Sequence, residues 1–336
     1  MKRIFLLIIV TFFVGEISAQ QKIRPVIVIH GGAGTIRKSE MTPEQEKAYT
    51  QALEEALKVG YAVLEKGGTS LEAVEKAIQI MEESPLFNAG RGCVLNNQGQ
   101  PELDASIMNG KTLEAGAVAG VNKIKSPISA AKAVMQQSEH VMLVGKGAEV
   151  FAKSKGLEMV SPSYFIVEKR KKQLDKVKKK EKENKDKNTK SQWEDTNPDR
   201  KYGTVGCVAL DQFGNIAAGT STGGMMNKRY GRVGDAPIIG AGTYADNNGC
   251  GVSATGHGEY FIRSAVAFRI NALMQMKGLS VEEAAQQTID FVGKLGGIGG
   301  VIVLDAKGNI AMPFNSEGMY RGYINADKKM EILMYK

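Results

Sequence analysis

Short apolar runs and helically spaced apolar positions alternate along this chain of 336 residues. Residues 26–29 are four consecutive β-branched residues, which predict a buried strand, and the glycine-rich segment 30–34 ends it. After Pro43, apolar residues recur at helical spacing, which predicts a helix that ends at Gly67 and Gly68. This succession of strand, loop and helix predicts an α/β protein.

Further helices are indicated by capping signals and by apolar spacing. The pairs Thr69-x-x-Glu72 and Ser280-x-x-Glu283 have the capping-box pattern that begins a helix. Residues 259–276 fit one more helix.

Strand signals occur in both halves of the chain. Residues 141–144 are a second apolar run and predict another buried strand. Residues 208–217 and 302–311 share an apolar strand, an Asp-x-x-Gly-Asn turn and a second strand, which predicts two β-hairpins. With strands and helices in each half, we expect sheets inside and helices outside.

Residues 1–19 have the pattern of a secretory signal peptide. Lys2 and Arg3 precede an apolar run over residues 4–14, and a cleavage site follows Ala19. The apolar run is shorter than the roughly 20 residues that span a bilayer, which argues against a membrane anchor. We therefore expect a periplasmic or secreted protein that is free of the membrane after cleavage.

The composition, 43% hydrophobic and 24% charged, excludes collagen-like, coiled-coil and wholly disordered chains. The net charge of +8 suggests a nucleic-acid partner until the charges are located. Residues 168–190 hold 12 basic and 5 acidic residues, 12 − 5 = +7, and residues 1–19 add +1. The rest of the chain is formally neutral, so we expect no nucleic-acid partner for the folded body.

Residues 168–200 differ in character from the rest of the chain. They are rich in Lys, Glu, Asn and Asp, and only Leu174, Val177 and Trp193 can bury much apolar surface. Such a segment cannot offset its ordering entropy by burial, so we predict a mobile linker. The alternative is a polybasic patch for nucleic acid or anionic lipid, although the interleaved acidic residues favour the linker.

Common catalytic motifs are absent from the sequence, and one threonine stands out instead. No Gly-x-Ser-x-Gly elbow, Walker lysine motif, dinucleotide-binding glycine motif or metal-finger spacing of histidines occurs. Thr204 follows Gly203 and the predicted linker. A threonine hydroxyl needs a base, and the α-amine of an N-terminal threonine can serve as that base. A cut before Thr204 would create such a terminus.

Seven short motifs, rich in glycine and polar residues, follow one another along the chain. They are His30-Gly-Gly-Ala-Gly, Asn88-Ala-Gly-Arg-Gly, Leu103-Asp-Ala-Ser-Ile-Met, Gly203-Thr-Val-Gly, Thr222-Gly-Gly, Gly231-Arg-Val-Gly-Asp and Thr255-Gly-His-Gly-Glu. In this order they resemble the plant-type asparaginase and isoaspartyl peptidase family of N-terminal-nucleophile hydrolases. The resemblance extends from about residue 25 to residue 336, except for the Lys-rich segment.

The resemblance implies a fold and a processing step. The fold would be a four-layer αββα sandwich. The precursor would cut itself between Gly203 and Thr204, giving an α subunit of about residues 20–203 that ends in the linker 168–200. The β subunit would comprise residues 204–336, and two such pairs would form an (αβ)2 dimer.

The resemblance also implies the catalytic residues. Thr204 would be the nucleophile for the self-cleavage and for the substrate, and Thr222 would orient its hydroxyl. Thr255 and the amide of Gly256 would form the oxyanion hole, whose donors stabilise charge that develops in the tetrahedral intermediate. Asn88 would lie near the nucleophile.

The remaining implied residues concern substrate and metal. Arg232 would bind the substrate α-carboxylate and Asp235 its α-ammonium, with Gly256 and Gly258 lining the same pocket. Apart from the resemblance, His30 and His257 are expected to be structural, because the α-amine already supplies the base. No cofactor is implied for catalysis. A structural sodium would be bound by the backbone carbonyls of Met81, Glu82, Ser84, Phe87, Ala89 and Arg91.

The expected reaction is hydrolysis of β-aspartyl dipeptides and L-asparagine to L-aspartate through a Thr204 acyl-enzyme. One alternative within the same class is a glycosylasparaginase, which shares the cut and the Gly-Arg-Val-Gly-Asp motif. A non-enzymatic alternative is an exported protein that binds polyanions through its Lys-rich segment.

Overall fold

The computed structural model describes residues 23–186 and 203–336. The predicted signal peptide, residues 1–19, and the last part of the predicted linker, residues 187–200, lie outside these described residues. None of the helices described within these two ranges is long and apolar enough to cross a membrane.

The described residues form strands and helices in alternation along the chain. The strands are β1 Val26–Gly34, β2 Leu103–Asn109, β3 Ala115–Val121, β4 Met142–Val144, β5 Val205–Leu210, β6 Ile216–Thr222, β7 Thr243–Ala245, β8 Cys250–Gly256, β9 Gly299–Asp305, β10 Ile310–Ala311, β11 Gly318–Ile324 and β12 Met330–Tyr335. The helices are α1 Pro43–Glu65, α2 Ser70–Glu83, α3 Pro127–Gln137, α4 Gly145–Ser154, α5 Glu168–Asp186, α6 Gly258–Ser264, α7 Val266–Lys277 and α8 Val281–Lys294. Short 3-10 turns lie at Lys38–Glu40 and Pro162–Phe165.

The strands form two sheets. The larger sheet has the order β12-β11-β1-β5-β6-β2-β3-β4, and all its pairings are antiparallel except that of β3 with β4. The smaller sheet has the order β10-β9-β8-β7 and is antiparallel throughout.

Alternate residues of β1 reveal how the layers stack. Ile27 and Ile29 belong to the core between the larger sheet and helices α1 to α3. Val26 and Val28 point the other way, into a core shared with Ile302 of β9 between the two sheets. The far side of the smaller sheet packs against α7 and α8. The fold is therefore the predicted four-layer αββα sandwich, and both faces of residues 26–29 are apolar because both are buried.

Local signals in the sequence are also confirmed. Both predicted capping boxes are present, at the N-caps Thr69 and Ser280. The two predicted hairpins are β5–β6 and β9–β10. In each turn an aspartate, Asp211 or Asp305, accepts hydrogen bonds from backbone N–H groups two and four residues later.

Two element predictions were wrong in detail. The run at 141–144 was expected to be buried, but β4 lies at the edge of the sheet and Val144 is 60% exposed. An apolar run alone does not distinguish an edge strand from a central one. The single helix expected over 259–276 is two helices, because Ala265 adopts a left-handed φ of 47° between α6 and α7.

The prediction of a mobile linker over 168–200 is wrong for its first part, which forms helix α5. Arg170, Leu174, Val177 and Glu181 recur at spacings of four, three and four residues, so they share one face of this helix. Leu174 and Val177 are buried on that face. The lysines around them lie mainly on the exposed faces.

The buried face of α5 packs against segments that precede and follow the linker. Its two apolar residues contact Val94, Leu95 and Met226. The guanidinium of Arg170 donates from Nε to the carbonyl of Gly92 at 2.6 Å. The sequence pattern did not reveal that these residues bury one face of α5.

We expect Leu174→Ala to destabilise the folded chain by about 2–5 kcal/mol, because it removes buried methyl groups and leaves a cavity. Lys178→Ala, on an exposed face of the same helix, is the matched control and should change the unfolding free energy by less than about 0.5 kcal/mol. Denaturant unfolding of both variants measures the difference. Equal stability of the two variants would contradict the packing of α5.

Candidate active site

The Gly203–Thr204 bond lies where β5 begins. Val205 is paired with Ser221 of β6, so Thr204 is next to Thr222 at the end of the neighbouring strand. The hydroxyl of Thr204 donates a hydrogen bond to Oγ1 of Thr222 at 3.2 Å. Both threonines are buried. The structure therefore brings together the predicted nucleophile and the residue predicted to orient it.

The carbonyl oxygen of Gly203 accepts two hydrogen bonds. Nδ2 of Asn88 donates at 2.7 Å and the hydroxyl of Thr222 donates at 3.1 Å. Asn88 is itself fixed, since Nδ2 also donates to the carbonyl of Gly224 at 2.8 Å and Oδ1 accepts from the N–H of Val94 at 2.7 Å. Two donors polarise this carbonyl and can stabilise the oxyanion that forms when the carbonyl is attacked.

His30 lies beside the backbone of Thr204 and is fully buried. Nδ1 is 3.0 Å from the carbonyl oxygen of Thr204, and Nε2 is 3.0 Å from Oγ of Ser253. Because a carbonyl can only accept, Nδ1 carries the proton and the Ser253 hydroxyl donates to Nε2. Burial lowers the pKa of His30 to about 3, although the hydrogen bond to Thr204 opposes this shift. The imidazole is therefore neutral and positions the backbone of Thr204.

A chain of buried hydroxyl groups continues from His30 between the two sheets. Oγ of Ser253 is 2.7 Å from Oγ1 of Thr220, which accepts from the hydroxyl of Thr243 at 2.5 Å. Oγ of Ser106 is 2.8 Å from Oγ1 of Thr243 and donates to the backbone carbonyl of Ala236, in the loop between β6 and β7, at 2.6 Å. Buried polar groups that are all paired in this way hold a core in one arrangement.

Thr255 and Gly256 end strand β8. Oγ1 of Thr255 accepts a hydrogen bond from the N–H of Ala33 at 3.2 Å, in the glycine-rich end of β1. Gly256 has a φ of 150°, and a Cβ atom there would lie 2.4 Å from the carbonyl oxygen of Ile298. Only glycine fits this position. The oxyanion role of the two residues stays a prediction.

Arg232, Asp235 and Gly258 lie together, with Glu259 beside them. Nε and Nη2 of Arg232 each donate to one carboxylate oxygen of Glu259, both at 2.9 Å. A Cβ atom at Gly258 would lie 2.7 Å from Nη2 of Arg232 and 3.0 Å from Oδ1 of Asp235. The structure therefore brings the predicted substrate-binding residues to one place and explains the glycine between them.

The charges of this cluster are strongly coupled. Burial raises the pKa of Asp235 to about 7, although the charge of Arg232 opposes the shift. Oδ2 of Asp235 is buried and has no hydrogen-bond partner among the residues that the structure describes. For Arg232, burial acts to lower the pKa, but the hydrogen bond and charge of Glu259 outweigh it and raise the pKa. An unpaired buried carboxylate oxygen is the place where a cationic group of a ligand would gain most.

Contacts of charged side chains help to anchor the loop at residues 223–231. The amine of Lys228 is buried and lies 3.8 Å from Oδ2 of Asp104. Glu181 of α5 forms an ion pair with Arg229 at 2.8 Å. These contacts hold the segment that leads to Arg232.

The segment after α2 was predicted to bind sodium through backbone carbonyls. A Cβ atom at Gly92 would lie 2.8 Å from the carbonyl oxygens of both Pro85 and Phe87, so these two oxygens converge beside a residue without a side chain. The carbonyl of Glu82 already accepts from the N–H of Arg91 at 2.6 Å. Within the ranges that the structure describes, no group of three or more His, Cys, Asp or Glu side chains could hold a metal. The sodium site stays a prediction.

Three contributors to this site were not predicted from the sequence. Glu259 was noted only as the end of a motif, Lys228 was not singled out, and the hydroxyl network between the sheets was not foreseen. A signal for Glu259 exists in the sequence, because this residue is adjacent to Gly258, which was predicted to line the substrate pocket. The buried hydroxyls have none, because serine and threonine are common on exposed strands as well.

Comparison with known proteins agrees with this geometry. A family model described as asparaginase matches residues 23–334. The chain is 48% identical over 301 residues to the isoaspartyl peptidase of Salmonella typhimurium, covering 89% of this chain and 95% of that protein. It is also 48% identical to the isoaspartyl peptidase of Escherichia coli, with coverage of 89% and 92%. It is 40% identical to the isoaspartyl peptidase/L-asparaginase of Xenopus laevis, with coverage of 91% and 94%.

The family match spans both sheets and both sides of the Gly203–Thr204 bond. It confirms the family implied by the seven motifs. It also shows that the chain is an enzyme, which excludes the non-enzymatic alternative of a polyanion-binding protein. The chain belongs to the asparaginase family and is a hydrolase with an αββα sandwich fold.

Proposed function

We propose that this hydrolase releases L-aspartate from β-aspartyl dipeptides and from L-asparagine, with Thr204 as the nucleophile. The observation that carries the proposal is the pair of donors, Asn88 and Thr222, on the carbonyl beside the Thr204 hydroxyl. The relatives named isoaspartyl peptidase and L-asparaginase support the substrate class.

The first step would be self-cleavage. The Thr204 oxygen attacks the Gly203 carbonyl carbon, and its hydroxyl proton passes to the amide nitrogen as the C–N bond breaks. The product is an ester between Gly203 and Thr204 with a free α-amine. Water then hydrolyses the ester, leaving a carboxylate on Gly203. During the attack the oxyanion stays within reach of Asn88 and Thr222, which is their contribution.

The second reaction would use the new terminus. The neutral α-amine of Thr204 takes the hydroxyl proton while the oxygen attacks the substrate β-carbonyl. The leaving amine departs with a proton and an aspartyl ester forms on Thr204. Water hydrolyses this ester to aspartate. Thr255 and the amide of Gly256 would stabilise the oxyanion in both halves of the reaction.

The charged cluster would select the substrate. Arg232 offers guanidinium N–H groups to an α-carboxylate. Oδ2 of Asp235, which has no partner among the described residues, accepts from an α-ammonium. Asparagine and β-aspartyl dipeptides carry both groups on the aspartyl half. Gly258 leaves the space that this half needs.

We also propose the processing and assembly that the sequence implied. Removal of residues 1–19 would send the chain to the periplasm or outside the cell, and the cut would give subunits of about 20–203 and 204–336. An (αβ)2 dimer is supported by exposed apolar side chains around β4 and α4, including Val141, Val144 and Val150. A sodium ion in loop 81–91 would be held by carbonyl oxygens, the ligands that a hard cation prefers.

The purified protein should separate into two polypeptides, one beginning at Gln20 and the other at Thr204. Thr204→Ala should remain uncut because no hydroxyl is present to attack. Asn88→Ala should slow the cut by about 10²–10³-fold, the usual effect of losing one oxyanion donor. Thr112→Ala, an exposed threonine, is the control and should cut normally. Denaturing electrophoresis and mass spectrometry follow the cut, and a cut Thr204→Ala chain would overturn the assignment.

The cut enzyme should hydrolyse β-aspartyl-leucine with a higher kcat/KM than an asparagine that carries N-acetylglucosamine on its side-chain amide. The reverse order would favour the glycosylasparaginase alternative. Converting the α-carboxylate of the aspartyl residue in β-aspartyl-leucine to an amide should lower kcat/KM by about tenfold or more. The reason is that a charge-assisted hydrogen bond to Arg232 is lost. Aspartate release measures the first two substrates, and leucine release measures the carboxamide against unmodified β-aspartyl-leucine.

Activity should rise with pH as the Thr204 amine loses its proton, since only the neutral amine can act as a base. With a reference pKa of about 7.7–8.0 for an α-amine, kcat should fall as the pH drops below that range. His30 stays neutral far below this range because burial lowers its pKa to about 3. His30→Asn should therefore lower kcat without moving the midpoint, and exposed His140→Asn should change neither. Loss of the pH-dependent rise in His30→Asn would contradict the amine as base.

A further inference from the structure

The guanidinium of Arg232 is held along one edge by a carboxylate of the same chain. Glu259 binds the Nε and Nη2 groups with both of its oxygens at 2.9 Å. Two parallel N–H···O bonds of this kind fix the plane of a guanidinium as well as its position. The side chain of Arg232 is mostly buried, whereas that of Glu259 is 44% exposed.

The other edge of the guanidinium faces the space predicted for the substrate. A Cβ atom at Gly234 would lie 2.8 Å from Nη1, and one at Gly258 would lie 2.7 Å from Nη2. Glycine at both positions leaves the two terminal nitrogens uncovered. The Gly258 position also borders Oδ1 of Asp235, at 3.0 Å. The uncovered edge of Arg232 and the carboxylate of Asp235 therefore line one space.

Among the described residues, Glu259 alone forms hydrogen bonds with the guanidinium of Arg232. Asp235 and Asp104 contribute charge to Arg232, but neither forms a hydrogen bond with it among the described contacts. Glu259 belongs to α6, and its Oε2 atom lies 3.5 Å from Nε2 of His257, the N-cap residue of that helix. Its position is thus tied to the segment that carries Thr255 and Gly256.

We infer that Glu259 is a positioning residue for substrate binding: it holds the Nε–Nη2 edge of Arg232 so that the Nη1–Nη2 edge meets the substrate α-carboxylate. The inference rests on the proposed function, because it needs Arg232 to bind that carboxylate. Glu259 also pairs with the buried guanidinium of Arg232 before substrate binds, so the charge of Arg232 is compensated in the empty site.

Glu259→Gln keeps the shape of the side chain but removes the charge and one of the two acceptor oxygens. We expect KM for β-aspartyl-leucine to rise about tenfold or more, with kcat changed less than about threefold. Self-cleavage should proceed at the normal rate, since none of the contacts around Gly203 involves Glu259. Glu282→Gln, an exposed glutamate in the first turn of α8, is the control and should leave KM unchanged.

Two further measurements separate the possible outcomes. With the α-carboxamide of β-aspartyl-leucine, the ratio of native to Glu259→Gln kcat/KM should shrink towards one, because no carboxylate remains to be oriented. In an Arg232→Lys background, Glu259→Gln should add little, because the fork that it holds is already gone. A purely structural role would instead lower kcat, self-cleavage and thermal stability together, for every substrate.

A fall in KM, or no change, would overturn the inference, since it would mean that Glu259 competes with the substrate or does not act on Arg232. A penalty of equal size on the carboxylate and carboxamide substrates would overturn it as well. If the native enzyme itself treats these two substrates alike, and Arg232→Lys is without effect, it is the role of Arg232 in the proposed function that fails.

Discussion

The antiparallel pairing of β5 with β6 is the constraint on which the site depends. It places the first residues of one strand against the last residues of the other, so Thr204 and Thr222 become neighbours through the backbone alone. The stiff χ1 of threonine then limits the directions in which their hydroxyls can point. Asn88 and His30 bind to backbone carbonyls of the same strand start, so their positions follow from that pairing too.

The two halves of the site differ in how complete they are. Around the nucleophile the buried polar groups are paired: the Gly203 carbonyl has two donors and His30 has a partner on each nitrogen. In the charged cluster, Oδ2 of Asp235 has no partner within the described part of the chain. Polar groups that already have hydrogen-bond partners hold nearby atoms in place without further loss of entropy. A buried acceptor without a partner instead gains a hydrogen bond when a ligand donates to it. The half around Thr204 is therefore preorganised, whereas the half around Asp235 keeps a buried acceptor that a cationic ligand group can fill.

The sequence was sufficient for the fold class, both capping boxes, both hairpins and the grouping of Thr204 with Thr222 and of Arg232 with Asp235. Those features depend on local pattern or on the order of motifs. The helix α5 was missed because its burial depends on Val94 and Met226, which are distant in sequence and carry no mark of their role. Glu259 was missed because a bidentate contact with Arg232 is a property of two side chains that only the fold brings together. Edge strand β4 was misread because exposure is decided by its neighbours and not by its own residues.

The order of strands in the larger sheet has a consequence for the cut chain. Residues before Gly203 supply β1 and the block β2-β3-β4, and residues after it supply β12-β11 and β5-β6, so the two products would be interlaced. Three of the strand pairings, β11–β1, β1–β5 and β6–β2, join one product to the other. Neither polypeptide could leave without unravelling the sheet and the core beneath it. Dilution would therefore not separate them, and a broken peptide bond would leave behind a single cooperative body with a new chain terminus at its centre.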